Sequence, residues 1–163
     1  MYDDLWIKVF ETLGWEEDLN NLRKVNKNFN KLIKFKHLSG LKIKEKNKYL
    51  LEYNLKNIRW LSCPNLGLTS LPSLPLNTYL DCSFNQLTHL PELPLNEWLN
   101  CRDNQLTHLP ELPLNKHLNC ADNQLTHLPE LPLNEWLYCQ RNQLTHLPEL
   151  SLNKELHCSL NNS

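Results

Sequence analysis

The chain has 163 residues, room for one ordinary domain or for a small domain joined to a repeat array whose core grows unit by unit, so two units is the ceiling. Apolar residues make up 40% and charged residues 21%, as in an ordinary soluble protein, and no run of 18 apolar residues exists to form a membrane-spanning helix. Net charge is only −1, but residues 1–60 carry 13 Lys/Arg against 8 Asp/Glu while residues 61–163 carry 4 against 10, so the two parts differ in kind.

The chain begins Met1-Tyr2-Asp3-Asp4, without the basic and apolar stretches of a secretory leader, so a cytoplasmic or nuclear location is expected. Residues 3–13 place Leu5, Val9 and Leu13 on one helical face with Trp6 and Phe10 beside them, and Asp3-Asp4 suits a helix start. A second helix is expected over residues 16–33, where Leu19, Leu22, Val25, Phe29, Leu32 and Ile33 recur at helical spacing and Lys27, Lys31 and Lys34 favour the C-terminal end. With Asp18-Leu19, Leu22-Arg23 and Val25-x-Lys27-x-Phe29 in this frame, the first 35 to 45 residues resemble an F-box.

That resemblance implies docking onto the Skp-family adaptor of cullin-type ubiquitin ligases, with Leu5, Val9, Phe10, Leu13, Leu19, Leu22, Val25 and Phe29 as adaptor-binding residues. Met1-Tyr2 stands where most F-boxes have Leu-Pro, Asn26 where Cys is common and Phe29 where Trp is common. The alternative is that residues 1–40 only cap the array that follows, and both roles are compatible. Residues 41–60 read as a transition segment: Leu41-Lys42-Ile43-Lys44 alternates like a strand, and Leu50, Leu51 and Leu55 point to a degenerate coil. The lysines over residues 34–60 form a solvated face; nucleic acid is not expected as a partner, because the neighbouring array is acidic and no nucleic-acid fold signature is present.

Residues 61–163 repeat with a period of 19. Cysteines at 63, 82, 101, 120, 139 and 158 mark five coils and a truncated sixth, with ten prolines against three glycines in the whole chain. The pattern Leu-x-Cys-x-x-Asn-x-Leu followed by Leu-Pro-x-Leu-Pro resembles leucine-rich repeats of the short bacterial-effector type, one residue tighter than the usual 20 or more. The expected fold class is therefore α+β: a small N-terminal helical domain, then a leucine-rich-repeat solenoid with a parallel β-sheet and a proline-rich extended back. One coil cannot bury its leucines alone, whereas stacked coils bury them against their copies at a spacing of ~4.8 Å. Leu66 occupies the first copy's Asn position, so a distorted or capping coil is expected there, while Asn85, Asn104, Asn123, Asn142 and Asn161 satisfy backbone groups at the other turns.

The cysteine file lacks zinc-site spacing and reads as reduced, core-filling thiols. The exposed file of His89, His108, His127 and His146, with Glu92, Glu111, Glu130 and Glu149, reads as a solvated flank or as a trap for a divalent ion; no metal or cofactor is assigned. Glu97, Lys116, Glu135 and Lys154 alternate in sign and support register.

Positions identical in every copy serve the scaffold, and those that vary are free of it. They comprise Trp60, Tyr79, Trp98, His117, Trp136 and Glu155 before the strand leucine; Asp81, Asn100, Asn119, Tyr138 and His157 after it; then Ser83, Arg102, Ala121 and Gln140; then Phe84, Asp103, Asp122 and Arg141. Alternation turns all of them away from the leucine core, onto the concave face that leucine-rich repeats use for partners. The partner-binding residues read from this pattern are Trp60, Tyr79, Trp98, His117, Trp136, Asn100, Arg102, Asp103, Tyr138, Gln140 and Arg141; stacking of the aromatics as structural pegs is the competing role.

No catalytic motif is found, so no enzyme is expected; bacterial ligases with similar repeats carry a separate catalytic domain after the solenoid, and this chain stops eight residues into its sixth coil. The expected function is that of an F-box/leucine-rich-repeat substrate receptor, similar to proteins of eukaryotes and of large DNA viruses that infect them, which would place it in host cytoplasm. A stand-alone binding or scaffold protein is the alternative. The last strand's open edge is expected to cause fraying or end-to-end self-association.

Overall fold

The computed structural model describes residues 40–44, 51 and 55–159, which belong to a compact unit beginning at Gly40. Seven three-residue strands form one parallel sheet in chain order: β1 Gly40–Lys42, β2 Trp60–Ser62, β3 Tyr79–Asp81, β4 Trp98–Asn100, β5 His117–Asn119, β6 Trp136–Tyr138 and β7 Glu155–His157. Register is constant. Trp60 pairs with Tyr79, Tyr79 with Trp98 and Trp98 with His117, so from β2 onward every residue lies beside its counterpart in the next coil.

The side chains explain the shape. The central strand leucines Leu61, Leu80, Leu99, Leu118 and Leu137 are at most 1% exposed. Leu74, Leu93, Leu112 and Leu131 close the far side of each coil, with Leu87, Leu106, Leu125 and Leu144 between them. Four coils turn at a Leu-Pro-Leu-Asn segment and the one before β7 at Leu150-Ser151-Leu152-Asn153, closed for example by Asn96 N–H donating to the Leu93 carbonyl at 3.1 Å and Asn115 N–H donating to Leu112 at 3.2 Å. Proline at the second turn position presets the required φ.

The expected α+β class is corrected by these elements. The described residues form a parallel β-solenoid and contain no α-helix. With two prolines in most nineteen-residue coils, no stretch within a coil is free to nucleate a helix. The helices expected over 3–13 and 16–33, and the adaptor-binding residues assigned to them, lie outside the described residues.

The first copy is not distorted. Leu66 stands at the Asn position and is buried, β2 keeps register with β3, and Asn65 has the same left-handed φ of 55° as its counterparts Phe84 (56°) and Asp103 (53°). The reason is that the turn asparagine serves mainly the coil before its own. Asn85 Oδ1 accepts from Leu66 N–H and Leu68 N–H, both at 3.0 Å, so the first coil is held by its successor.

Candidate protein-binding surface

The residues flanking each strand leucine share the outward face of the sheet. Trp60 is exposed there, and Tyr79, Trp98, His117 and Trp136 are half-buried. Stacking accounts for that partial burial: Trp60–Tyr79 centroids lie 5.2 Å apart, Tyr79–Trp98 4.2 Å and His117–Trp136 4.1 Å, the last two pairs only 6° from parallel. Lys154 Nζ sits 5.1 Å from the Trp136 ring centroid. In-register strands impose this geometry, because identical positions repeat at one strand spacing, close to the thickness of stacked rings.

A second outward row follows the leucine. Asn100 and Asn119 fold their Oδ1 atoms back onto the N–H of Arg102 and Ala121, each at 3.3 Å, as Asp81 does for Ser83 N–H at 3.2 Å. Tyr138 stacks on His157 with centroids 4.8 Å apart, and its hydroxyl donates to Glu155. That bond raises the Tyr138 phenol above its usual range and lowers the Glu155 carboxyl.

Beyond the strands the sites diverge from simple alternation. Ser83 and Ala121 are buried, although alternation places them outside. The strands are only three residues long, and the chain is already bending toward the left-handed residue that follows. Arg102 and Gln140, at the same position, are half-buried, and Gln140 Oε1 is buried without a hydrogen-bond partner among the described residues. From Asp103 onward the left-handed row is charged, and Arg102 beside it joins in: Arg102 Nε lies 3.1 Å from Asp103 and 3.2 Å from Asp122, and Arg141 reaches Asp122 at 3.1 Å. Arg102 also lies over the Phe84 ring, 5.7 Å from its centroid. Sequence reasoning assigned Arg102, Asp103 and Arg141 to the binding face without foreseeing this ion-pair row.

Two features below the face hold it in place. The turn asparagines bridge coils: Asn123 Oδ1 accepts from Leu106 N–H at 3.0 Å, and its Nδ2 donates to the carbonyls of Cys101 (3.0 Å) and Cys120 (3.2 Å). Asn161, expected in the same ladder, lies outside the described residues. A second ladder was missed from sequence. Asn77, Asn96, Asn115 and Asn134 are fully buried. Each Nδ2 donates to the backbone carbonyl two residues on, and from Asn96 onward also to the Oδ1 one coil back, Asn96 to Asn77 and Asn115 to Asn96 at 3.1 Å. The unvarying Pro-Leu-Asn of the central copies was the available signal.

The remaining files are scaffold. Cys63, Cys82, Cys101 and Cys120 are buried thiols, and burial pushes Cys63 and Cys120 up to about 12. At the end of the file Cys139 is buried and Cys158 lies half-buried beside it, their Cα atoms 4.7 Å apart. The four histidines of the flank are exposed, each with Nδ1 against the preceding threonine hydroxyl, as in Thr107–His108 at 3.1 Å. Among the described residues no group of three or more metal-binding side chains comes together, so the ion-trap reading gains no support. Glu97–Lys116 and Glu135–Lys154 pair across coils at 2.7 and 2.5 Å.

No protein-family model matches this chain, and no curated protein matches it. Among solved structures it is similar to YopM, a leucine-rich effector protein from Yersinia pestis, with a TM-score of 0.53 and 37% identity over 58% of this chain. The match spans 29% of the YopM chain. Together with the constant register, this similarity identifies the array as a leucine-rich-repeat solenoid, an architecture that suits protein binding.

Proposed function

We propose that the solenoid holds a protein partner against the outward face of its sheet, through Trp60, Tyr79, Trp98, His117, Trp136, Asn100, Arg102, Asp103, Tyr138, Gln140 and Arg141. One observation carries this reading: on a scaffold whose leucines and asparagines repeat almost without change, the residues that differ from coil to coil gather on one continuous wall rich in aromatic and Arg side chains. The aromatic row also stabilises the sheet by stacking, so the two roles assigned to it coexist. Chemical cross-linking from a photoreactive side chain at position 100 should yield adducts with a host protein, and the same group at Glu111 on the flank should not. Adducts from position 111 alone would put the binding surface elsewhere.

The sequence of residues 1–45 supports a finer reading, in which an F-box-like segment docks the Skp-family adaptor and the solenoid presents a target to a cullin-type ubiquitin ligase. A buried thiol row fits a reducing cytoplasmic setting for such a complex. A pull-down with the adaptor tests this: the intact chain should retain it and Phe10→Ala/Leu22→Ala should release it. Adaptor absent from both samples leaves a stand-alone binding module. Self-association through the last coil is part of the same proposal, supported by Leu152 and Leu156, which are 52% and 47% exposed where their counterparts in β2–β6 coils are better covered. Light scattering that shows monomer at every concentration would remove it.

A further inference from the structure

The row of rings on the outward face is interrupted once. Trp98 stacks on Tyr79 and His117 stacks on Trp136, but no stacking joins Trp98 to His117, although they are register partners. His117 is the smallest ring in the row. Around it lies a recess of about 200 Å³ between the indoles of Trp98 and Trp136, lined further by Asn100, Asn119 and Tyr138.

Two properties of that recess point the same way. No carboxylate lines it. The Oδ1 atoms of Asn100 and Asn119 are held by backbone N–H groups, which fixes the orientation of both amides, and no described residue accepts from either Nδ2. The recess is therefore floored by two amide donors side by side. Paired amide donors with no carboxylate beside them complement an oxygen acceptor and disfavour a cation.

We propose that this recess is a subsite for a carboxylate side chain, Glu or Asp, of the bound partner; the proposal rests on the outward face being the protein-binding surface. The acidic groups nearby are already engaged. Glu97 and Glu135 are paired with Lys116 and Lys154, and Asp81, next to Asn100 in the strand row, accepts from both the N–H and the hydroxyl of Ser83. Asp81 also shows that a carboxylate fits this strand position with the same backbone bond, which supplies a conservative way to reverse the site's preference.

The test uses the full chain labelled with nitrogen-15 and three probes, the N-acetyl, N-methylamide derivatives of glutamate, glutamine and arginine. The glutamate probe should move the side-chain amide signals of Asn100 and Asn119 and the indole signals of Trp98 and Trp136 saturably. The glutamine probe should bind several-fold more weakly and the arginine probe should leave the signals in place. Asn100→Asp/Asn119→Asp should lose the glutamate response at least tenfold and acquire an arginine response; Asn119→Asp alone serves if the double variant fails to fold. Equal responses to all three probes, a stronger arginine response in the parent, or no response at all would overturn the subsite. Cross-linking from position 100 decides the binding face separately, so a silent recess beneath a face that still captures a partner removes only this inference.

Discussion

Replacing Asn123 isolates what the turn ladder contributes. The side chain makes one bond to the preceding coil's Leu106 N–H and donates to the carbonyls of Cys101, Cys120 and Ala121, in a setting where only 9% of the residue is exposed. Asn123→Ala leaves a cavity as well as unpaired groups, whereas Asn123→Leu fills the space, as Leu66 does at the equivalent turn. The Leu variant then orphans mainly Leu106 N–H, because the Cys101 carbonyl still accepts from Asn104 Nδ2 at 3.0 Å, so a loss of about 1–3 kcal/mol is expected. With a urea slope of about 1–3 kcal/mol per molar, the unfolding midpoint should fall by on the order of 1 M. Urea titration followed by tryptophan fluorescence measures this, and hydrogen exchange should show Leu106 N–H losing protection first. A midpoint within a few tenths molar of the parent, with Leu106 still protected, would refute the bridging role.

Three further outcomes follow from the same geometry. Phe84 holds a left-handed φ of 56° with its ring 51% exposed, so Phe84→Asn should relieve about 1 kcal/mol of backbone strain and raise the calorimetric midpoint by roughly 3–5 °C; a lower midpoint would mean its contact with Arg102 outweighs the strain. Leu118→Ala should cost about 2–5 kcal/mol in the same urea assay, since Leu118 is 1% exposed between two strands that limit collapse, and a change under 1 kcal/mol would contradict a packed core. Burial raises Cys63 and Cys120 from 9.0 to about 12. The unfolded chain then releases these protons first, so stability should be intact below pH ~9 and fall by about 1.4 kcal/mol per pH unit per thiol as pH rises toward ~12. Cys63→Ala/Cys120→Ala should flatten that fall, and an equally steep profile in the double variant would assign it to other groups.

The period of the array was legible because each copy carries the same instruction. Leu99 and Cys101 point inward for the same reason as Leu80 and Cys82, and the register follows once any two copies stack. The limits of that logic are visible at particular residues. Alternation predicts Asn100 correctly but not Ser83 or Ala121, because a three-residue strand carries the pattern no further than its own end. The Asn96 ladder was hidden because an asparagine beside a turn reads as a local cap, and only the register shows that its amide reaches Asn77. The aromatic row announced itself as a contact surface, yet the break between Trp98 and His117 depends on ring geometry that composition does not encode. The α+β expectation came from residues 3–33, which the described residues do not include, while the proline-punctuated coils leave an all-β solenoid.

The constant register is most directly tested by methyl cross-relaxation in solution. Leu99 should show contacts to Leu80 and Leu118 but not to Leu137, and Leu118 to Leu99 and Leu137, in a chain of nearest neighbours nineteen residues apart. Contacts that skip a coil, or leucine methyls that relax as freely as exposed side chains, would contradict the stacked solenoid and with it the single outward wall.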